Sequence, residues 1–167
     1  MLWSRERRSA ASPSSWYTKP SRRDNPIATQ PSADIQRVRS IDNKNRRTTL
    51  ARAAATAANE KNGTEIVILD VSSVTSIADY FVITAGANHR QVRAISEHIE
   101  DCLKGTAHNQ KPIRREGMED ARWVLLDYGD LLVHVLLEEE RAHYNLERLW
   151  ADAPLVSWEP DIDRTST

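Results

Sequence analysis

The stretch Ala121–Trp150, ARWVLLDYGDLLVHVLLEEERAHYNLERLW, constrains the fold more than any other part of the chain. Trp123 to Leu126 and Leu131 to Leu137 are dense in Val, Leu and Trp, and they flank Asp127-Tyr128-Gly129-Asp130. Glycine takes positive φ without a Cβ clash, so two β-prone arms around this tetrapeptide read as a tight hairpin. Side chains alternate across a strand, which sends Trp123 and Leu125 to one face and Val124 and Leu126 to the other. Both faces are therefore apolar, and the second arm repeats this apart from His134. A half-solvated antiparallel sheet would alternate apolar with polar residues. Two solutions are open: helices cover both faces, or one face is kept for another protein.

The preceding chain supplies the other elements. Thr48 or Thr49 is placed to cap a helix, TTLARAAATAANEKNG, with Gly63 at its end. Ala54, Ala57, Ala58 and Leu50 share one of its faces, a narrow stripe suited to close packing on a sheet. Glu65 to Val71 reads as a buried strand, and Asp79 to Thr84 as a second one rich in β-branched and aromatic residues. A helix follows from Asn88 to Leu103, with Val92, Ile95, Ile99, Cys102 and Leu103 on its inward face and Gly105 stopping it. Lys111 to Arg115 suits a short edge strand, because Pro112 cannot serve a central one. The hairpin and a last helix complete the order, with Ala142, Leu146 and Leu149 as that helix's core stripe. The expectation is an α+β (α/β) domain: a mixed four- to five-stranded sheet flanked by helices.

Charge divides the chain. Residues 1–47 hold eleven Lys/Arg against four Asp/Glu, whereas residues 48–167 hold twelve against twenty. The first segment, rich in Ser, Pro, Arg and Asn, has no apolar period and reads as a disordered basic leader. Three roles are open for it: a solvated tail, an organelle transit peptide, or an electrostatic arm touching RNA through Arg5, Arg7, Arg8, Arg22 and Arg23. Glu6, Asp24, Asp34 and Asp42 count against the transit peptide. The acidic remainder suits a basic protein partner and excludes direct nucleic-acid binding by the folded domain. Residues 154–167, with Trp158 between two prolines' reach, form a tail that lies over the domain or frays. No apolar run approaches the ~20 residues of a membrane span. With a single cysteine, Cys102, no intramolecular disulfide and no cysteine-built zinc site is possible. A cytoplasmic address follows, with plastid or mitochondrion as the alternative.

No catalytic constellation emerges. The turn Thr84-Ala85-Gly86-Ala87-Asn88 could present N–H groups to a phosphate, but a plain turn with Asn88 as N-cap explains it better. Asp127 and Asp130 flank a tight turn, where Asp is favoured for local hydrogen bonding rather than for holding magnesium. His134 is a polar core or interface residue, and Cys102 is inert packing. His89, His98, His108 and His143 show no metal-ligand spacing, so no metal and no cofactor is expected. The stronger candidate is an interaction surface around Trp123, Tyr144 and Trp150, since aromatics bury much area with few rotors. Tyr144 falls opposite Leu146 on the helical wheel and is expected exposed, near Arg141 and Arg148. Trp150 is read as core, and for Trp123 core and contact both stay open.

The blocks WVLLDYGDLLVHV and EEERAHYNLERLW, with Ala78–Ile83, Ala85-Gly86 and Arg90-Gln91-Val92 upstream, resemble the ribosomal silencing factor family, also called Iojap-related. The resemblance covers roughly Leu50 to Ala153, so the domains are taken as 1–47, 48–153 and 154–167. It implies a nucleotidyltransferase-like topology without the catalytic residues, and no enzyme. It also implies binding to a large-subunit ribosomal protein, number fourteen, on the intersubunit face, with repression of translation by steric block of subunit joining under nutrient limitation. The family's contact surface includes residues matching Trp123 and Tyr144, to which Leu125, His134, Arg141 and Leu146 are added. The rival readings are a nucleotidyltransferase-like enzyme using the Gly86 turn with Asp127 and Asp130, and a homodimeric adaptor.

Overall fold

A computed structural model describes residues 33–105 and 109–159. The leader arginines from Arg5 to Arg23, His108 and residues 160–167 lie outside the described residues. The elements are α1 (Ala33–Glu60), β1 (Thr64–Asp70), β2 (Tyr80–Gly86), α2 (His89–Gly105), β3 (Arg114–Glu116), β4 (Trp123–Asp127), β5 (Leu131–Leu137), α3 (Glu138–Tyr144), α4 (Leu146–Leu149) and β6 (Leu155–Val156). Six strands form one sheet in the order β3-β4-β5-β2-β1-β6. Only β2 and β5 pair in parallel among the described strands; the crossover between them carries α2, β3 and β4. The architecture is α+β with a mixed sheet, as expected, widened at one edge by the two-residue β6.

The hairpin forms where Gly129 takes φ +85° and its N–H donates to Asp127 Oδ1 at 2.7 Å. Tyr128 N–H closes the loop on the Leu131 carbonyl at 2.9 Å. Asp127 thus works for the turn, whereas Asp130 ties it to its surroundings: its carboxylate pairs with Arg47 at 2.9 Å, and its carbonyl accepts from the Asp79 and Tyr80 N–H groups. Asn88 caps α2, accepting from Gln91 N–H at 3.0 Å, while Gln91 Oε1 accepts from Ala87 N–H at 2.9 Å. The Ala87 and Gln91 N–H groups are thus taken by the chain's own side chains, as in a plain capped turn. Gly86 is needed there for space, since a Cβ would come within 3.2 Å of Val92.

Two expectations at helix ends are corrected. The first helix starts at Ala33 and not at Thr48, so residues 33–47 are helical rather than disordered. The composition of 1–47 is an average: its last proline is Pro31 and it has no glycine, so nothing from Ala33 onward interrupts a helix anchored farther on. Thr48 is no cap; its hydroxyl donates to the Lys44 carbonyl and meets Tyr80 Oη at 2.8 Å. Lys44 pairs with Asp70 at 3.3 Å and Arg47 with Asp79 at 2.5 Å, tying this part of the helix to the domain. At the other end Asn62, not Gly63, takes the left-handed conformation, with Asn62 and Gly63 N–H groups returning to the Asn59 and Ala58 carbonyls.

The last helix is also not continuous. Asn145 sits at φ 43°, ψ 59°, at once the C-cap of α3 and the N-cap of α4. The break ends the 100° progression, so the expected stripe of Ala142, Leu146 and Leu149 does not form: Ala142 is exposed, Leu149 is 71% exposed, and only Leu146 is buried.

Two apolar clusters lie on the two sides of the sheet. The first joins Val82, Val124, Leu126, Leu131, Val133 and Val135 to α1 and α2. There Ala51, Ala54, Ala55, Ala57 and Ala58 are all buried, so α1 approaches closely along a seam of methyl groups. The tail returns through β6, which pairs with β1, and Trp158 packs against this first cluster. The second cluster joins Leu69, Val71, Phe81, Ile83 and Leu136 to Leu146, Trp150 and Ala153.

Candidate interaction surface

The second face of the hairpin is only partly covered by helices. Burial alternates along β4 and β5 although the sequence does not: Val124, Leu126, Leu131, Val133 and Val135 are buried, while Trp123, Leu125, Leu132 and His134 are only partly covered. α1 and α2 close the first face. On the second, the short α3 and α4 leave the hairpin end open. Leu125 and His134 are direct cross-strand partners, and Trp123 is paired with Leu136, so three of the expected contact residues share one patch.

A row of rings crosses this patch. Trp150 meets Phe81 edge-on at 5.3 Å, Phe81 meets His134 at 5.5 Å, His134 meets Trp123 at 5.9 Å, and Trp123 meets Tyr144 at 5.0 Å. His143 adds an edge contact to Tyr144 at 4.9 Å. Exposure grows along the row, from Phe81 in the core to Tyr144 at 47%. Neighbouring rings restrict one another's rotamers.

His134 fixes the orientation of Trp123. The indole Nε1–H donates to His134 Nδ1 at 3.2 Å. Burial pushes the imidazole down to about pKa 4, so it is neutral at pH 7. An indole can only donate, hence Nδ1 is the acceptor and the ring proton sits on Nε2, an assignment made from the hydrogen-bond network. Beside Tyr144, Glu139 and Glu140 of α3 share a hollow with Arg122, which pairs with Glu139 at 3.4 Å and with Glu140; Glu138 lies away from it, against Thr64.

Arg141 and Leu146 do not join the patch. Arg141 is 5% exposed; its Nε lies 3.0 Å from Glu65 Oε2 and its guanidinium also pairs with Glu147. Its two carboxylate partners, Glu65 on β1 and Glu147 on α4, hold it there, because a buried cation needs partners, so it does not flank Tyr144 as expected. Leu146 is 9% exposed within the second cluster. The sequence reading passed over Leu132, which shares the patch by strand parity with His134 and was discoverable on that ground. It also passed over Phe81, which reaches the row only through the parallel β2–β5 pairing.

Spacing of the histidines against acids and against one another leaves out one three-residue cluster that the fold assembles. His98 and Cys102, one turn apart on α2, meet Glu60 at the end of α1, with His98 Nε2 2.7 Å from Glu60 Oε2 and 3.5 Å from Cys102 Sγ. The i, i+4 spacing of His98 and Cys102 is visible along the chain, but Glu60, 38 positions from His98, is not.

The family model described as "RsfS: Ribosomal silencing factor during starvation" matches residues 43–167. The chain belongs to the ribosomal silencing factor family. That family consists of ribosome regulators that are not enzymes, and its matched span crosses the boundaries expected at 47 and 153. The Bacillus subtilis ribosomal silencing factor RsfS is 42% identical over 107 residues, 64% of this chain and 89% of its own length. The RsfS of Halalkalibacterium halodurans is 42% identical over 110 residues, 66% and 92% of the two chains. A crystal structure of a Chromobacterium violaceum protein superposes with TM-score 0.59 at 30% identity, covering 70% of this chain and 94% of that one. More distant family relatives include maize "Protein Iojap, chloroplastic" and mouse "Mitochondrial assembly of ribosomal large subunit protein 1", at 31% and 29% identity. Among the described residues no helix is long and apolar enough to cross a membrane.

Proposed function

We propose that the chain silences translation by docking the open hairpin face on the large ribosomal subunit and blocking the small subunit from joining. The observation that carries this is the half-covered patch of Trp123, Leu125, Leu132, His134 and Tyr144, on a face whose opposite side is fully closed by helices. Its partner is a basic ribosomal protein of the intersubunit face, number fourteen, as the family resemblance implies. Occlusion makes and breaks no bond; it needs an interface and bulk. A standard interface of ~800 Å² per partner fits a domain of this size. Trp123 and Tyr144 are the anchors, and the exposed Glu139 at the rim, with the acidic balance of residues 48–167, matches a basic surface in sign. His134 contributes in two ways, by holding Trp123 and by offering its Nε2–H to an acceptor. Arg141 and Leu146 support the patch from beneath rather than touching the partner. The site of action is the cytoplasm.

Co-sedimentation with purified large subunits tests this. Wild type should pellet with the large subunit and reduce its joining to the small one, and Trp123→Ala plus Tyr144→Ala should stay in the supernatant while folded. Binding by the double variant at wild-type level overturns the assigned surface. A folded wild type that fails to bind, with residues 1–32 present and removed, overturns the silencing reading. Self-association of the free chain that is lost in the double variant assigns the patch to a homodimer instead.

A further inference from the structure

We propose that Glu60, His98 and Cys102 form a three-ligand site for a thiophilic divalent cation, best suited to Zn(II), with water in the fourth position. The site lies between α1 and α2 on the side of the molecule closed by helices, and the proposal is independent of the ribosomal reading. Three different donor atoms converge: a carboxylate oxygen, an imidazole nitrogen and a thiol sulfur, all within 4.8 Å of one another. This mixed set is what Zn(II) takes, and three protein ligands with one open position is a recurrent zinc arrangement.

The geometry can be compared with a tetrahedron. Bonds of ~2.0–2.1 Å to nitrogen or oxygen and ~2.3 Å to sulfur give ligand–ligand edges of roughly 3.3–3.6 Å. The His98–Cys102 edge of 3.5 Å already has that length. The His98–Glu60 edge of 2.7 Å is a hydrogen bond and must open by about half an ångström to fit such an edge. Glu60 is the ligand able to move, since its side chain is 55% exposed, whereas His98 is 27% exposed. The spacing of His98 and Cys102 at i and i+4 fixes both on one face of α2. The end of α1 is held in turn by Gln91, whose Nε2–H donates to the Asn62 carbonyl at 2.8 Å and the Lys61 carbonyl at 3.3 Å. Burial and the carboxylates of Glu60 and Asp101 keep the thiol protonated against the opposing pull of Lys61. Loading therefore forms the S–Zn bond as the thiol proton leaves to solvent. The bound ion would clamp the two helices that close the first face.

Titration of the full chain with Co(II) reads the site directly, because the only cysteine in the sequence is Cys102. One equivalent should bind with an intense thiolate-to-cobalt charge-transfer band, and one equivalent of Zn(II) should abolish the band. Cys102→Ser should lose the band while unfolding at the wild-type temperature without metal. His98→Ala and Glu60→Gln should each weaken Co(II) binding by about tenfold or more, the loss typical of residues that hold or orient a metal. Zn(II) should raise the unfolding temperature of wild type and not of Cys102→Ser, which separates binding to the folded chain from capture by an unfolded one. A folded wild type that gives no band overturns the proposal. So does a band whose affinity is unchanged in both His98→Ala and Glu60→Gln, since that would be a lone thiol.

Discussion

The two faces of the hairpin are both largely apolar and have opposite fates. Val124, Leu126, Val133 and Val135 face α1 and α2 and are fully buried; Trp123, Leu125, Leu132 and His134 face the other way and are not. Apart from His134, both sets are aliphatic or aromatic, so the sequence alone does not tell which face is covered. What differs is the covering layer. α1 runs 28 residues and α2 17, whereas α3 and α4 have seven and four and are split at Asn145. The difference in cover makes one face a closed core and leaves the other partly open.

That contrast can be broken most forcefully from the closed side. Leu126→Ala should cost about 2–5 kcal/mol in urea unfolding, the price of a cavity in a packed core. Large-subunit binding by the fraction that remains folded should be unchanged. Next in size is the pH response of His134. Its folded-state pKa of about 4 lies below the ~6.5 of an unfolded chain, so the unfolded state takes up the proton first as pH falls. Stability present above pH ~6.5 should be lost between there and pH ~4, by about 3 kcal/mol, and His134→Gln should lack that loss. The difference between the two unfolding profiles measures it.

Smaller effects sharpen the comparison. Asn145→Ala should destabilise by about 1–2 kcal/mol, because alanine disfavours the left-handed conformation there, and Asn145→Gly should be nearly neutral by thermal unfolding. Arg47→Ala removes the pairs to Asp79 and Asp130 that latch α1 over the closed face. With a partly exposed cation, the loss should not exceed about 1 kcal/mol. Tyr144→Ala should change stability by no more than about 0.5 kcal/mol, since the ring is half exposed, yet weaken large-subunit binding measurably. A stability loss as large as that of Leu126→Ala would make Tyr144 a core residue and remove it from the patch.

What the sequence made legible was local. The Gly129 turn, the Asn88 cap and the strand parity of Trp123, Leu125 and His134 each depend on neighbours a few positions away. What it hid depends on distant partners or on a finer scale than composition. Arg141 lies on an exposed-looking helix, but Glu65, from a strand far earlier in the chain, draws it into the interior. Leu149 fits an inward stripe only if the helix continues through Asn145, and asparagine is one of the few residues other than glycine that readily end one in this way. The helix from Ala33 to Arg47 was masked by the proline-rich residues before it, averaged into one segment.

The early part of α1 has a consequence of its own. Residues 33–46 are exposed throughout, and at ~1.5 Å per residue they form a rod of about 20 Å. The volume that a body denies to its neighbours grows with its reach more steeply than with its mass. Fourteen residues drawn out in this way sweep a wider zone than the same fourteen folded onto the sheet.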